Sequence, residues 1–318
     1  MPPLTIGFAH PAFRFAEEFA TRGTGHDCFQ AGTLAELQAR IASVDILVTA
    51  RIWTDALLDL APKLRFIQAS SSGTEQFDTA RIGRHGVRLA SAQGINVHAV
   101  SEHAMGLLLT LTRNLNLAHR NQARRNWQMR ALPIDAREQE LHGKTMFIIG
   151  LGAIGARLAT LAKAFGMRVI GVRRNIGAPM PDVDLVIPPE RLDTLLPQAD
   201  VLALTCPLTE ETRGMINAER LALLPRTAYL INTSRGPVVN ESALIAALSG
   251  GRIAGAGLDC FAVEPLSHES PLWEMENVVI TPHTAGNMRL YERRVVDLLI
   301  ENMTRLESGG MPLRNQVI

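Results

Sequence analysis

Three glycines and three ionisable side chains carry the chemistry that can be read from this sequence. Gly150, Gly152 and Gly155, with Leu151, Ala153 and Ile154 between them, follow the apolar run 145–149. They precede a helical pattern over 156–165 that ends at Gly166, and a second β-rich run spans 168–172. A glycine turn between a parallel strand and a helix N-terminus is a seat for a dinucleotide pyrophosphate. The first glycine allows the tight turn, the second lets backbone N–H groups approach the phosphates, and the third lets helix and strand pack closely. After the second strand an NAD site usually has an acidic residue for the ribose 2′-hydroxyl. Here Arg173 and Arg174 stand in that place. A carboxylate would repel a 2′-phosphate, whereas guanidinium groups pair with one, so the motif points to NADP(H) in preference to NAD(H). The ionisable residues are Arg235, Glu264 and His283, each just past a strand-like run of the second half. Singly they read as a surface arginine, a loop glutamate and a capped histidine. Together they share the sheet edge of the glycine turn, and ligands of open α/β sheets bind beyond the carboxyl ends of strands.

The elements that must position them come in two sets. Runs 4–8, 45–49, 64–68 and 87–90 read as strands, with helices over 13–22, 34–42 and 54–60 between them. That alternation predicts a small parallel α/β unit. A long helical pattern follows from Glu102 to about Arg125, with Ser101 as its expected N-cap. Residues 126–142 read as irregular. A second unit starts at Gly143, with later strands over 199–204, 228–232, 254–258 and 277–280, and a final helix over 288–307. A helix of this kind, after a completed dinucleotide sheet, is expected to cross back to the first domain. The expected division is therefore residues 1–98 plus 288–318 as one domain and 99–287 as a dinucleotide-binding domain inserted in it.

Composition bounds the function class. At 318 residues the chain suits two domains. A hydrophobic content of 47% with 20% charged residues describes an ordinary globular protein. The net charge of +1 gives no reason to expect nucleic acid or a membrane surface as partner. Cys28, Cys206 and Cys260 are far apart and form no metal-binding spacing, so buried thiols in a reducing compartment are expected and no metal is. There is no basic-then-apolar leader and no apolar run of bilayer length, which predicts a cytoplasmic protein.

The order and neighbours of the three ionisable residues resemble the D-isomer-specific 2-hydroxyacid dehydrogenases, along nearly the whole chain. Asn232-Thr233-Ser234-Arg235-Gly236 looks like that family's arginine motif, Asp259 through Glu264-Pro265 its glutamate motif, and Thr281-Pro282-His283-Thr284-Ala285-Gly286 its histidine motif. The segments 206–212 and 101–103 match further family stretches. The resemblance implies a flavodoxin-like substrate domain and a Rossmann domain. It also implies reduction of a small 2-keto acid, of glyoxylate or hydroxypyruvate type, to the D-2-hydroxy acid. In those roles Arg235 binds the carboxylate and polarises the adjacent carbonyl. His283 gives the proton, Glu264 holds the ring and stabilises its protonated form, and the cofactor gives the hydride. By the same resemblance Asp259 lies near the nicotinamide carboxamide and Pro207 and Thr233 line the cofactor. Thr212, Ser234 and Gly286 are expected on the cofactor side as well. Ser72 and Gly73 match the first-domain loop that offers backbone N–H groups to the substrate carboxylate. A homodimer is implied, built through the long helix and the segment after it.

Two positions depart from the pattern. Arg173 replaces a frequently acidic residue, and Thr205 stands where many members have histidine. Arg51 and Trp53, after the second strand, suit either a cleft or an exposed loop, and His103 reads as a packing residue in the long helix. Three other readings compete: a nucleotide-sensing corepressor of the same fold, a formate dehydrogenase and a methyltransferase-like Rossmann domain. Glu264 and Pro282 argue against the formate enzyme, which lacks the histidine's acidic partner and places an amide before it. The Arg–Glu–His set argues against the methyltransferase.

Overall fold

The computed structural model describes residues 3–127, 137–177, 180–308 and 311–318, so the patch expected to be irregular at 126–142 lies partly outside the described residues. The chain divides into two compact units, Met1–Asn96 with Met288–Ile318, and Val97–Asn287. The division falls at 96/97 rather than at 98/99, because helix α5 begins at Val97 and its apolar face packs within the second unit.

The first unit holds β1 (Thr5–Ala9), α1 (Phe15–Ala20), β2 (Asp27–Ala31), α2 (Leu34–Gln38), β3 (Ile46–Thr49), α3 (Leu57–Leu60), β4 (Phe66–Ala69), α4 (Thr79–Arg84) and β5 (Arg88–Ala90). Its parallel sheet has the order β2-β1-β3-β4-β5, a flavodoxin-like arrangement. Strand β2 is absent from the sequence reading. Its sequence, Asp-Cys-Phe-Gln-Ala, buries only alternate residues at the sheet edge and lacks the continuous apolar run of an inner strand. The C-terminal helix α11 (Tyr291–Glu307) belongs to this unit. It buries Val295, Val296, Leu299 and Met303 against Phe8, Phe15, Phe19 and Phe66, and each such side chain stabilises the unit by about 1.5–3 kcal/mol. Asn302, fully buried on the same helix, donates to Gln68 Oε1 at 2.8 Å and accepts from Arg314 N at 2.7 Å. That ties the tail to the sheet.

The second unit opens with α5 (Val97–Thr112) and α6 (Leu115–Ala123), then β6 (Thr145–Ile149), α7 (Ala153–Ala164), β7 (Arg168–Val172), β8 (Leu185–Ile187), α8 (Leu192–Leu195) and β9 (Val201–Leu204). It closes with α9 (Ala218–Leu223), β10 (Tyr229–Asn232), α10 (Glu241–Ser249), β11 (Gly255–Leu258) and β12 (Val278–Ile280). The sheet order β12-β11-β10-β9-β6-β7-β8 is parallel throughout and reverses direction of growth between β6 and β9, the switch point at which Rossmann folds bind dinucleotides. The single long helix expected from Glu102 to Arg125 is two helices. Asn114 between them is left-handed at φ 53°, which breaks the α-helical hydrogen-bond ladder. Ser101 is no cap: it is fully buried one turn inside α5, and its hydroxyl donates to His98 O at 3.0 Å. No helix among the described residues is long and apolar enough to cross a membrane.

Candidate active site and cofactor cradle

Each glycine of the turn after β6 has a separate steric reason. Gly150 is at φ +100°, and a Cβ there would meet Cys206 N at 2.6 Å. A Cβ on Gly155 would collide with Gly150 O, so the first turn of α7 lies against the turn that precedes it. Gly152, the residue before Ala153 and Ile154 at the head of α7, has nothing within 4 Å of its Cβ position. The middle glycine therefore faces open space, as a backbone offered to a phosphate requires. Thr205 fixes this turn by donating to Gly150 O at 2.6 Å. Thr233 Oγ1, past β10, is buried with no hydrogen-bond partner among the described residues. An open glycine backbone and an unpartnered buried hydroxyl beyond the carboxyl ends of the same sheet both fit a dinucleotide.

At the end of β7, Arg173 is half-buried and Arg174 exposed. The Arg174 charge helps to hold the Glu211 carboxyl below its ordinary range, after the larger effect of the Thr209 hydroxyl. Pro207 and Thr212 belong to one closed loop, in which the Thr212 hydroxyl donates to Pro207 O at 2.8 Å and accepts from Thr209 N at 2.7 Å. The Ser234 hydroxyl donates to Asn232 Oδ1 at 2.8 Å. Thr212 and Ser234 thus shape the loops around the cradle with their side chains, while Thr233 keeps its hydroxyl uncommitted.

Arg235 is set by a turn built from Asn232. The fully buried Asn232 accepts from Ser234 N at 3.0 Å and donates to Arg235 O at 3.2 Å. Asparagine folding back on the backbone two residues ahead is a turn-forming habit, and that signal was present in the sequence. Gly236 follows because any Cβ there would strike the Phe261 carbonyl, so the arginine turn and the glutamate loop are packed backbone to backbone. That second loop is braced by Glu241, at the start of α10, which accepts from Ala262 N at 2.9 Å. Nothing in the sequence pattern singles Glu241 out.

Glu264 accepts from Phe261 N at 3.1 Å with one carboxylate oxygen and takes His283 Nδ1 at 2.7 Å with the other. A carboxylate accepts, so Nδ1 carries the hydrogen, and Nε2 is the ring nitrogen not engaged by Glu264. The side chains remain 41% and 37% exposed, open to a substrate. His283 itself is left-handed at φ 53°, a strained conformation for a residue with a side chain. Asp259 holds it there. Its carboxylate, 2% exposed, accepts from Thr281 Oγ1 at 2.6 Å, Thr284 N at 2.8 Å and Ala285 N at 2.9 Å. In the resemblance Asp259 faces the nicotinamide; in the structure most of its acceptor capacity is spent on the histidine loop, which ends at the half-buried Gly286. Cys260 lies beside this cluster as an inert thiol, its pKa pushed up first by burial and then by the Asp259 and Glu264 charges.

Ser72 and Gly73 belong to the first unit, in the turn past β4, where Ser71 Oγ donates to Gly73 O at 2.6 Å. Trp53 donates to Asp55 at 2.9 Å and lies against Phe77, while Arg51 is exposed past β3. The Arg51 charge adds to burial in lowering the pKa of His10 to about 4. It opposes burial at Tyr291, whose phenol is nevertheless pushed up to about 12. Among the described residues no group of three His, Cys, Asp or Glu could hold a metal ion.

Residues 105–285 match the family described as D-isomer specific 2-hydroxyacid dehydrogenase, NAD binding domain. The chain is 35% identical over 280 residues to a glyoxylate reductase of Korarchaeum cryptofilum, a match spanning 86% of this chain and 82% of that protein. It is 34% identical over 272 residues to a hydroxypyruvate reductase of Thermotoga maritima, spanning 84% and 86%. Among solved structures, a D-isomer specific 2-hydroxyacid dehydrogenase family protein of Aeromonas salmonicida superposes with a TM-score of 0.88 at 30% identity, over 100% of this chain and 99% of the other.

Proposed function

Given that the chain belongs to the D-isomer-specific 2-hydroxyacid dehydrogenases, we propose that it reduces a small 2-keto acid of glyoxylate or hydroxypyruvate type with NADPH. Arg235 anchors and polarises the substrate, His283 donates the proton and Glu264 holds His283. The observation that carries the reading is the 2.7 Å pair between Glu264 and His283 Nδ1, on a loop past the same sheet edge as the Arg235 turn. Reduction of a ketone adds a hydride to C2 and a proton to its oxygen. The bound nicotinamide supplies the hydride. His283 Nε2 supplies the proton, and the Glu264 carboxylate stabilises the imidazolium before it is given up. The Arg235 guanidinium matches a carboxylate bidentately and draws charge toward the carbonyl oxygen as it becomes an alkoxide.

The first unit is the proposed substrate domain, with backbone N–H groups at Ser72 and Gly73 as further donors to the carboxylate. Gly150, Gly152, Ala153, Ile154 and Gly155 are the proposed pyrophosphate cradle, and Arg173 with Arg174 the 2′-phosphate site. Pro207, Thr233, Asp259 and Gly286 are proposed to line the nicotinamide side. Leu115, the first residue of α6, is 51% exposed and Trp127, past its end, 89%, which suits burial in a homodimer; a cytoplasmic location is proposed from the sequence. A steady-state screen of 2-keto acids with NADPH and NADH tests the reading. Turnover of glyoxylate or hydroxypyruvate with NADPH is expected; oxidation of neither nicotinamide with any 2-keto acid would overturn it.

A further inference from the structure

The loop that carries His283 is held by a side chain from a distant part of the sequence. Thr281 Oγ1 lies 2.6 Å from Asp259 Oδ1 and 2.9 Å from Nε2 of His103, on α5. A hydroxyl has one proton. With Asp259 a carboxylate, which can only accept, that proton goes to Asp259. Toward His103 the same oxygen must then accept, so His103 Nε2 carries a hydrogen. The three groups form a one-way chain of donors, His103 N–H to Thr281 O–H to Asp259, whose members polarise one another. The same Asp259 oxygen accepts Thr284 N, and its other oxygen accepts Ala285 N. The chain therefore brackets His283 on both sides, with Thr281 two residues before it and Thr284 one residue after. A residue with a side chain persists at φ 53° only when its surroundings over-determine it. His103 also stands 3.6 Å from Asp259 Oδ1, so a protonated ring would add charge to the same anchor.

We infer that His103 is a positioning residue for the reaction. It orients the Thr281 hydroxyl so that Asp259 can lock the strained loop on which His283 meets Glu264. The inference rests on the reading of His283 as proton donor. Its cause is specific to a hydrogen-bond donor at residue 103, which a merely space-filling side chain would not supply.

The test compares His103→Leu, His103→Gln and Thr281→Val with wild type and with His283→Ala, for reduction of the best 2-keto acid at saturating NADPH. His103→Leu keeps bulk and removes the donor. Its kcat should fall about tenfold, the effect of one hydrogen bond of ordinary net strength, with a smaller change in KM for the keto acid. His103→Gln, which restores an N–H donor, should recover kcat to within about threefold of wild type, and Thr281→Val should match the loss in His103→Leu. The double variant His103→Leu/Thr281→Val should be no worse than either single, because both break one chain. Should His103→Leu not fold, Thr281→Val still has to lose about tenfold, and His103→Gln added to it must cost nothing more. Wild-type kcat in His103→Leu or Thr281→Val, equal losses in His103→Leu and His103→Gln, or additive losses in the double variant would each overturn the inference. Wild-type kcat in His283→Ala would instead remove the proton-donor reading beneath it, an outcome distinguishable from the others.

Discussion

Arg235 and His283 should fail differently when removed, because in the proposed mechanism one binds and polarises while the other only transfers a proton. Arg235→Ala is expected to raise KM and lower kcat together. His283→Ala should lower kcat by about a hundredfold or more with a small effect on KM. Steady-state kinetics at fixed saturating NADPH distinguishes the two patterns. Equal, KM-only losses in both variants would contradict the assignment. For Glu264→Gln the sign follows from charge. The 2.7 Å contact to His283 Nδ1 persists as a hydrogen bond, but the imidazolium loses its anion. In the proposed mechanism the ring must be held and charged to give its proton, so Glu264→Gln should lower kcat about tenfold or more with a smaller change in KM. Steady-state kinetics checks it, and a wild-type kcat in Glu264→Gln would sink the pairing. Arg173→Asp should cost NADPH a charge-assisted bond, about 1.5–3 kcal/mol or tenfold to a hundredfold in kcat/KM, while sparing NADH. An NADPH preference unaltered by Arg173→Asp would contradict the 2′-phosphate site.

At the scale of elements, the arginine turn and the glutamate loop behave as one packed body. Gly236→Ala would drive a methyl into the Phe261 backbone, which has no flexible end to give way. A loss of about 1–3 kcal/mol in stability is expected, together with a fall in kcat because Glu264 sits three residues beyond Phe261. Thermal unfolding and kinetics on the same preparation measure both, and a variant with wild-type Tm would contradict the packing. What the sequence made legible follows the same line between short-range and long-range causes. The glycine turn, the inner strands and the three loops past strand ends were readable, because each is announced by local apolar runs and turn residues. Strand β2 was not, since half its residues are polar at an edge, and three-residue β8 is too short to show a period. The break at Asn114 was hidden by apolar spacing that continues across it. His103 and Glu241 act on backbone and side chains far away in sequence, so no local pattern could mark them. Asp259 stood out through its motif, but its commitment to the histidine loop had no local mark in the sequence.

For the whole molecule, stability should carry a pH signature from the first unit. His10, 8% exposed, accepts from Ala12 N and Phe13 N through Nδ1, and burial first, Arg51 second, lower its pKa from 6.5 to about 4. An unfolded chain takes up that proton near pH 6.5 and the folded one only near 4, so stability falls as pH drops through this window. The loss is at most about 3.4 kcal/mol. His10→Asn, whose amide oxygen can accept the same backbone N–H groups, should flatten the denaturation midpoint between those limits. An equally steep pH dependence in His10→Asn would assign it elsewhere. The proposed catalysis is tested by kcat/KM for glyoxylate and hydroxypyruvate with NADPH and with NADH, in wild type and in His283→Ala. The expected result is turnover of at least one of them, about tenfold or more better with NADPH, and a loss of about a hundredfold in His283→Ala. A wild type that oxidises neither nicotinamide in their presence, or a His283→Ala enzyme that turns over as fast as wild type, would contradict it.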